Sequence, residues 1–155
     1  MAEPGNGGGP AEEDCFFCRR RAGREPGPEG GFLYEDEHFL VGHGFLGTDE
    51  AGSLLVEARR HVLDPGDMTE EEMAALTTLL PRLYRVLHQA LGADRVYLLS
   101  TQARNPHFHA YLHPWRASEE KRGIPFLAQD RPSSEEEYRA AAAALAGEFA
   151  QTSTP

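Results

Sequence analysis

No apolar stretch of this 155-residue chain approaches the roughly 20 residues that cross a bilayer, so no membrane-spanning helix and no membrane partner are expected. Basic residues are few: 15 Lys and Arg against 25 Asp and Glu give a formal charge of -10, which repels a phosphate backbone. That balance argues against a general nucleic-acid binder. A small-molecule substrate, a single nucleotide included, remains open, because local groups can overrule the net field. The first residues, MAEPGNGGGPAEED, lack the basic flank and apolar segment of a secretory signal, so a cytoplasmic location is expected. Cysteine is nearly absent, which rules out a disulfide framework, and both copies fall in one CFFC motif at Cys15 and Cys18. In a cytoplasmic chain such a pair serves metal or redox chemistry more often than a structural disulfide. No internal repeat is visible.

What is present is enough for one domain, with hydrophobic residues making up 40% of the chain. Residues 1–14 are Gly, Pro, Ala and Glu with nothing to bury and read as a tail, as do the last residues, 151–155. The domain is placed at 15–150. AGREPGPEGG, at 22–31, reads as a surface loop. CFFC therefore sits between a tail and a loop, and its cysteines would be fixed by something other than local secondary structure. FLYEDEHFLV, at 32–41, reads as a hairpin and GSLLVEARRH, at 52–61, as the next strand. From Thr69 to Leu91, apolar residues recur at three and four positions, with Thr69 and Glu72 as a capping box. Pro81 predicts a kink or break near Leu79 and Leu80, and the helix is expected to persist with a bend. VYLLST (96–101) and HFHAYLH (107–113) read as antiparallel neighbours joined by QARNP, and a helix closes the chain over about 134–149. The fold class is α+β.

In a strand from 107, His107, His109, Tyr111 and His113 point one way, and Phe108, Ala110 and Leu112 the other. One face is apolar; the other carries imidazoles and a phenol, a composition that points to chemistry. CxxC serves zinc ribbons, redox centres and free thiols alike. A redox centre wants its first cysteine at a helix start after a strand, and here a tail precedes it. A tetrahedral zinc centre would need two further nitrogen ligands from His38, His43, His61, His88, His107, His109 and His113, since no other cysteine exists. His88, on the long helix, reads as structural or surface.

NPHFHAYLHPW resembles the histidine-triad (HIT) signature, H-x-H-x-H followed by two residues and often proline. GSLLVEARRH resembles that superfamily's strand ending in a basic residue and histidine, FLYEDEHFLV its opening hairpin, and CFFC the CxxC of its zinc-containing members. The resemblance spans about residues 15–115. It implies an antiparallel sheet of about five strands with a long helix packed on it, and a homodimer. It implies structural zinc on Cys15, Cys18, His61 and His107. It also implies a nucleophile at His109 that attacks a nucleotide's α-phosphorus, as in HIT hydrolases and galactose-1-phosphate uridylyltransferase-like proteins. Arg104 and Asn105, just before the strand, are candidate substrate contacts.

The sequence departs from that pattern in three places. Tyr111 stands at the third histidine, with His113 two residues on, so His109, Tyr111 and His113 form the candidate catalytic set. The acid that usually binds ribose falls at Gly44, and Asp49 and Glu50 come later. QARNP replaces the glycine-rich loop that contacts phosphate. Three readings follow: a nucleotidyl hydrolase or transferase working through His109; a HIT-fold enzyme of specialised metabolism whose substrate is not a nucleotide, using His109, Tyr111 and His113; or a noncatalytic zinc-stabilised binding module.

Overall fold

The computed structural model describes residues 12–152; residues 1–11 and 153–155, which hold most of the first tail and the end of the second, lie outside the described residues. Five strands form one antiparallel sheet: β1 (Tyr34–Glu35), β2 (Phe39–His43), β3 (Leu54–Ala58), β4 (Arg95–Leu99) and β5 (His109–Trp115), in the order β1-β2-β3-β5-β4. The expected α+β class and five-stranded sheet are therefore found. β1 and β2 form the hairpin, and Asp36 closes its turn by accepting from the His38 and Phe39 N–H groups, both at 2.7 Å.

Alternation along β2, β3 and β5 gives the sheet two different faces. One carries Phe39, Val41, Leu54, Val56, Ala110 and Leu112, all buried. It packs against Leu76, Leu79, Leu83, Val86 and Leu87 of the long helix α2 (Glu70–Leu91), and against Leu145 and Phe149 of the closing helix α4 (Glu135–Thr152). Burial of this apolar surface is the main source of stability. The other face carries Leu55, Glu57, His109, Tyr111 and His113, where β3 and β5 pair Glu57 with His109 and Leu55 with Tyr111.

One expectation is corrected here. CFFC does lie in local secondary structure: Cys15 caps helix α1 (Phe16–Arg21), and Cys18 lies within it. Six residues form no stable helix alone; α1 holds because Phe17 and Cys18 are buried against Leu55 of the sheet, a contact that local pattern does not reveal. The long helix persists through Pro81, as expected. Pro81 and Thr77, whose carbonyl loses its donor, are both exposed, so water can satisfy that carbonyl and the helix runs on. Thr69 and Glu72 form the expected capping box. Gly92, at φ 63, ends α2 in the left-handed conformation, which glycine adopts without strain. A short helix α3 (Ile124–Leu127) has no counterpart in the sequence reading.

Candidate functional site

Three elements bring the cysteines and two histidines together: α1 supplies Cys15 and Cys18, the end of β3 leads to His61, and the entry to β5 supplies His107. Their ligand atoms all lie within 4.8 Å of one another, the only group of that kind among the described residues. The separations are 3.4 Å from Cys15 Sγ to His107 Nδ1, 3.4 Å from Cys18 Sγ to His61 Nδ1, 3.6 Å from Cys18 Sγ to His107 Nδ1, and 3.2 Å between the two Nδ1 atoms. A tetrahedron with metal–sulfur bonds of about 2.3 Å and metal–nitrogen bonds of about 2.05 Å has sulfur–nitrogen edges near 3.5 Å and a nitrogen–nitrogen edge near 3.3 Å. The observed edges match, so the residues fit a tetrahedral metal ion. His107 Nε2 lies 2.6 Å from the Ala58 carbonyl, which takes its N–H and turns Nδ1 and its lone pair toward the thiols. Burial pushes the His107 imidazole down to about 4 and so keeps it neutral. Without a cation, burial and the neighbouring Cys15 push the Cys18 thiol up to about 12.

Arg60, just before His61, ties the end of β3 to α2: its Nε and Nη2 donate to Glu72 Oε1 and Oε2, both at 2.8 Å. The basic patch before the histidine thus anchors the ligand's backbone to the capping box.

His109 opens β5 beside this cluster and is half-buried. Its Nδ1 lies 2.8 Å from the His107 carbonyl, which can only accept. Nδ1 therefore bears the proton, and the lone pair of the neutral ring sits on Nε2. The Phe17 ring packs on His109 at a centroid distance of 4.7 Å, and Ser100 Oγ donates to the His109 carbonyl at 2.6 Å. Across the strand pair, Glu57 accepts from Arg20 Nη1 at 3.1 Å; both side chains are 2% exposed. Arg20 lies among the rings of Phe16, Phe32 and Phe45, at 5.8, 5.3 and 5.4 Å, and its Nε has no hydrogen-bond partner among the described residues. Nothing in the sequence pattern singled out this buried pair.

Burial, followed by the nearby Asp49 carboxylate, raises the Tyr111 phenol well above the ordinary range, so it stays protonated. Its ring stacks on His113 at 5.4 Å. Asp49 accepts from the Phe45 N–H at 2.6 Å. A Cβ placed on Gly44 would lie 2.8 Å from Asp49 Oδ2, so the later acid folds back into the space beside the position where the acid was expected. The neighbouring space on the same face is filled too, because a Cβ on Gly42 would lie 2.8 Å from Pro28 Cγ. Arg104 is exposed and Asn105 half-buried, both in the loop before β5, where the Asn105 carbonyl accepts from the His107 N–H at 2.8 Å. His88 is exposed, its Nδ1 2.6 Å from the Ala93 carbonyl, and takes no part in the site.

No family model matches the chain, and no curated protein does either. Solved structures do match. A Zn-bound histidine triad family protein from Mycobacterium smegmatis is 25% identical, with a TM-score of 0.67 over 91% of this chain and 99% of that one. A histidine triad nucleotide-binding protein from Sulfolobus tokodaii is 19% identical, with a TM-score of 0.69 over 88% and 93%. A Hit-like protein from Bartonella henselae, described as involved in cell-cycle regulation, is 14% identical, with a TM-score of 0.69 over 88% and 96%. The chain is thus a histidine-triad protein by fold. Its Cys15, Cys18, His61 and His107 form a group able to hold a metal ion, and one of these fold neighbours is Zn-bound.

Proposed function

We propose that this chain is a nucleotidyl hydrolase or transferase acting at phosphorus through His109, with zinc on Cys15, Cys18, His61 and His107. The observation that carries the reading is the hydrogen bond from His109 Nδ1 to the His107 carbonyl, which fixes the ring's orientation and, in the neutral tautomer, puts the lone pair on Nε2. In the proposed reaction the Nε2 lone pair forms a bond to the α-phosphorus. The bond to the leaving group breaks, its electrons depart with that group, and water or another acceptor then resolves the nucleotidyl-histidine. Arg104 and Asn105, on the loop entering β5, are proposed to contact the phosphoryl oxygens, a role for donors preset where charge develops.

When bound, zinc would supply folding free energy by tying α1 to β3 and β5, since four protein donors leave no position for water. α1 in turn holds Phe17 against the nucleophile's ring. Tyr111 is proposed to position Asp49, since a phenol held protonated is a poor base near neutral pH. The homodimer is retained as part of the proposal: β4 is an edge strand and its Leu98 is 47% exposed, a surface a second copy could cover.

The filled spaces beside Gly42 and Gly44 favour a second reading, in which the same histidine acts on a substrate without an ordinary ribose. A panel of adenylylated and uridylylated compounds separates the two. Turnover of any of them, lost in His109→Ala, supports the first; no turnover with any overturns it. Elemental analysis of protein purified without chelator should give about one zinc per chain, and Cys15→Ser should lose it.

A further inference from the structure

Tyr111, His113, Asp49 and Glu50, all departures from the histidine-triad pattern, converge beside one cavity of about 150 Å³. The cavity lies between the loop carrying Thr48, Asp49 and Glu50, the ring of His113, and the segment from Phe126 to Arg131. His113 is four residues beyond His109 on the same face of β5, about 13 Å along the strand. The cavity is therefore a neighbour of the nucleophile and not its seat.

Its polar groups are specified by what each has left to offer. Ser53 is fully buried, and the partner of its hydroxyl among the described residues is His113 Nδ1 at 3.0 Å. A buried hydroxyl must donate its hydrogen, so Nδ1 accepts it, and the neutral ring carries its own proton on Nε2. That N–H has no partner among the described residues. Asp49 and Glu50 supply acceptors: a carboxylate has about four lone-pair sites. Asp49 uses one for the Phe45 N–H and lies near the Tyr111 phenol, and Glu50 uses one, for Arg131 at 2.6 Å.

Charge narrows the class of ligand. Among the described residues lining the cavity Arg131 is the one cation, and it is taken up by Glu50 at 2.6 Å, Glu119 at 3.3 Å and the face of Phe126 at 3.7 Å. A guanidinium so committed offers no free charge to a phosphate or carboxylate group. A cation is not favoured either, since Glu50 already pairs with Arg131 at 2.6 Å and burial pushes its carboxyl up to about 7. What remains matched is a neutral group that both accepts and donates.

We propose that this cavity is a subsite for a neutral hydroxyl-bearing group, one end of a polyol or sugar, whose oxygen accepts from His113 Nε2–H and whose hydrogen goes to Glu50 or Asp49. At about 30 Å³ per water, the volume equals some five waters, room for a three-carbon polyol. As a binding site it stands without the His109 chemistry; as the place of a substrate's or acceptor's hydroxylated part, it rests on that reading.

The test is an NMR titration of the full chain with glycerol, glycerol 3-phosphate and ethanolamine as probes. Glycerol should give saturable shifts at the amides of Thr48, Glu50 and Gln129 and at the His113 ring nitrogens. The two charged probes should bind about tenfold more weakly or not at all, as should glycerol to His113→Phe, a loss on the scale of one hydrogen bond. His113→Gln, whose amide can replace the donor, should recover part of the affinity. If His113→Phe fails to fold, the wild-type ring decides by itself: a proton on Nε2 and a shift there on adding glycerol support the subsite. Non-saturable shifts, a proton on Nδ1, or tighter binding of either charged probe would overturn it. His109→Ala should still bind glycerol, so failure of the subsite and failure of the nucleophile are read separately.

Discussion

Removing one partner of the buried Arg20–Glu57 pair should cost far more than removing both. The two side chains are 2% exposed and joined at 3.1 Å, and Arg20 Nε already lacks a partner among the described residues. Glu57→Leu would leave a guanidinium inside the protein with only the rings of Phe16, Phe32 and Phe45 around it. Breaking a buried ion pair in this way costs about 3–5 kcal/mol, whereas replacing both charges by apolar groups is often neutral or stabilising. In a domain of this size, 1 kcal/mol moves Tm by about 2–4 °C, so the single variant should melt about 10 °C lower. Arg20→Met combined with Glu57→Leu should recover most of that loss. The assay is urea unfolding of wild type, both single variants and the double, at one protein and zinc concentration, with m checked for constancy. A Glu57→Leu cost below about 1 kcal/mol, or a double variant no better than the single, would refute this account of the pair.

Gly44→Ala should destabilise by about 1–3 kcal/mol, because the new methyl must displace the Asp49 carboxylate that lies 2.8 Å away; an unchanged urea midpoint would contradict this. Burial shifts groups in opposite senses with pH. It pushes His43 and His113 down to about 4 from the usual 6.5, so their contribution is whole above pH 6.5 and is lost as pH falls toward 4. It pushes Glu50 and Glu57 up to about 7 from 4.5, so theirs is whole below pH 4.5 and is lost as pH rises toward 7. The two pairs oppose each other, so the test is a difference: between pH 7 and 4.5 His113→Gln should lose up to about 3 kcal/mol less unfolding free energy than wild type, and an unchanged difference would contradict this. Chelation of the metal should release α1, read as a change in amide exchange confined at first to Phe16–Arg21 and its contacts; unchanged exchange there would argue that the cysteines bind nothing structural.

Much of this architecture was legible because it rests on local pattern. Thr69 and Glu72 announce the start of α2 within four residues, and the alternation from His107 to His113 separates the core face from the chemical face. The zinc ligands were named through resemblance, and the fold brings all four to one point. What stayed hidden depends on contacts far apart in sequence. α1 exists because Phe17 and Cys18 pack on the sheet, and Arg20 gains its partner 37 residues away. How smoothly α2 passes Pro81 depends on whether the carbonyl Pro81 frees faces water, and exposure cannot be read from a proline alone. The return of Asp49 to the space beside Gly44 depends on the path of a loop, which spacing does not specify.

The central claim is that His109 Nε2 is a nucleophile toward phosphorus. Intact-mass spectrometry after brief incubation with adenylylated and uridylylated compounds, quenched under conditions that preserve phosphorus–nitrogen bonds, tests it most directly. A nucleotidyl mass added to the wild-type chain, mapped to His109 and absent from His109→Ala, is the predicted result. An unmodified chain that nevertheless turns the compound over, or an adduct that persists in His109→Ala, would contradict it.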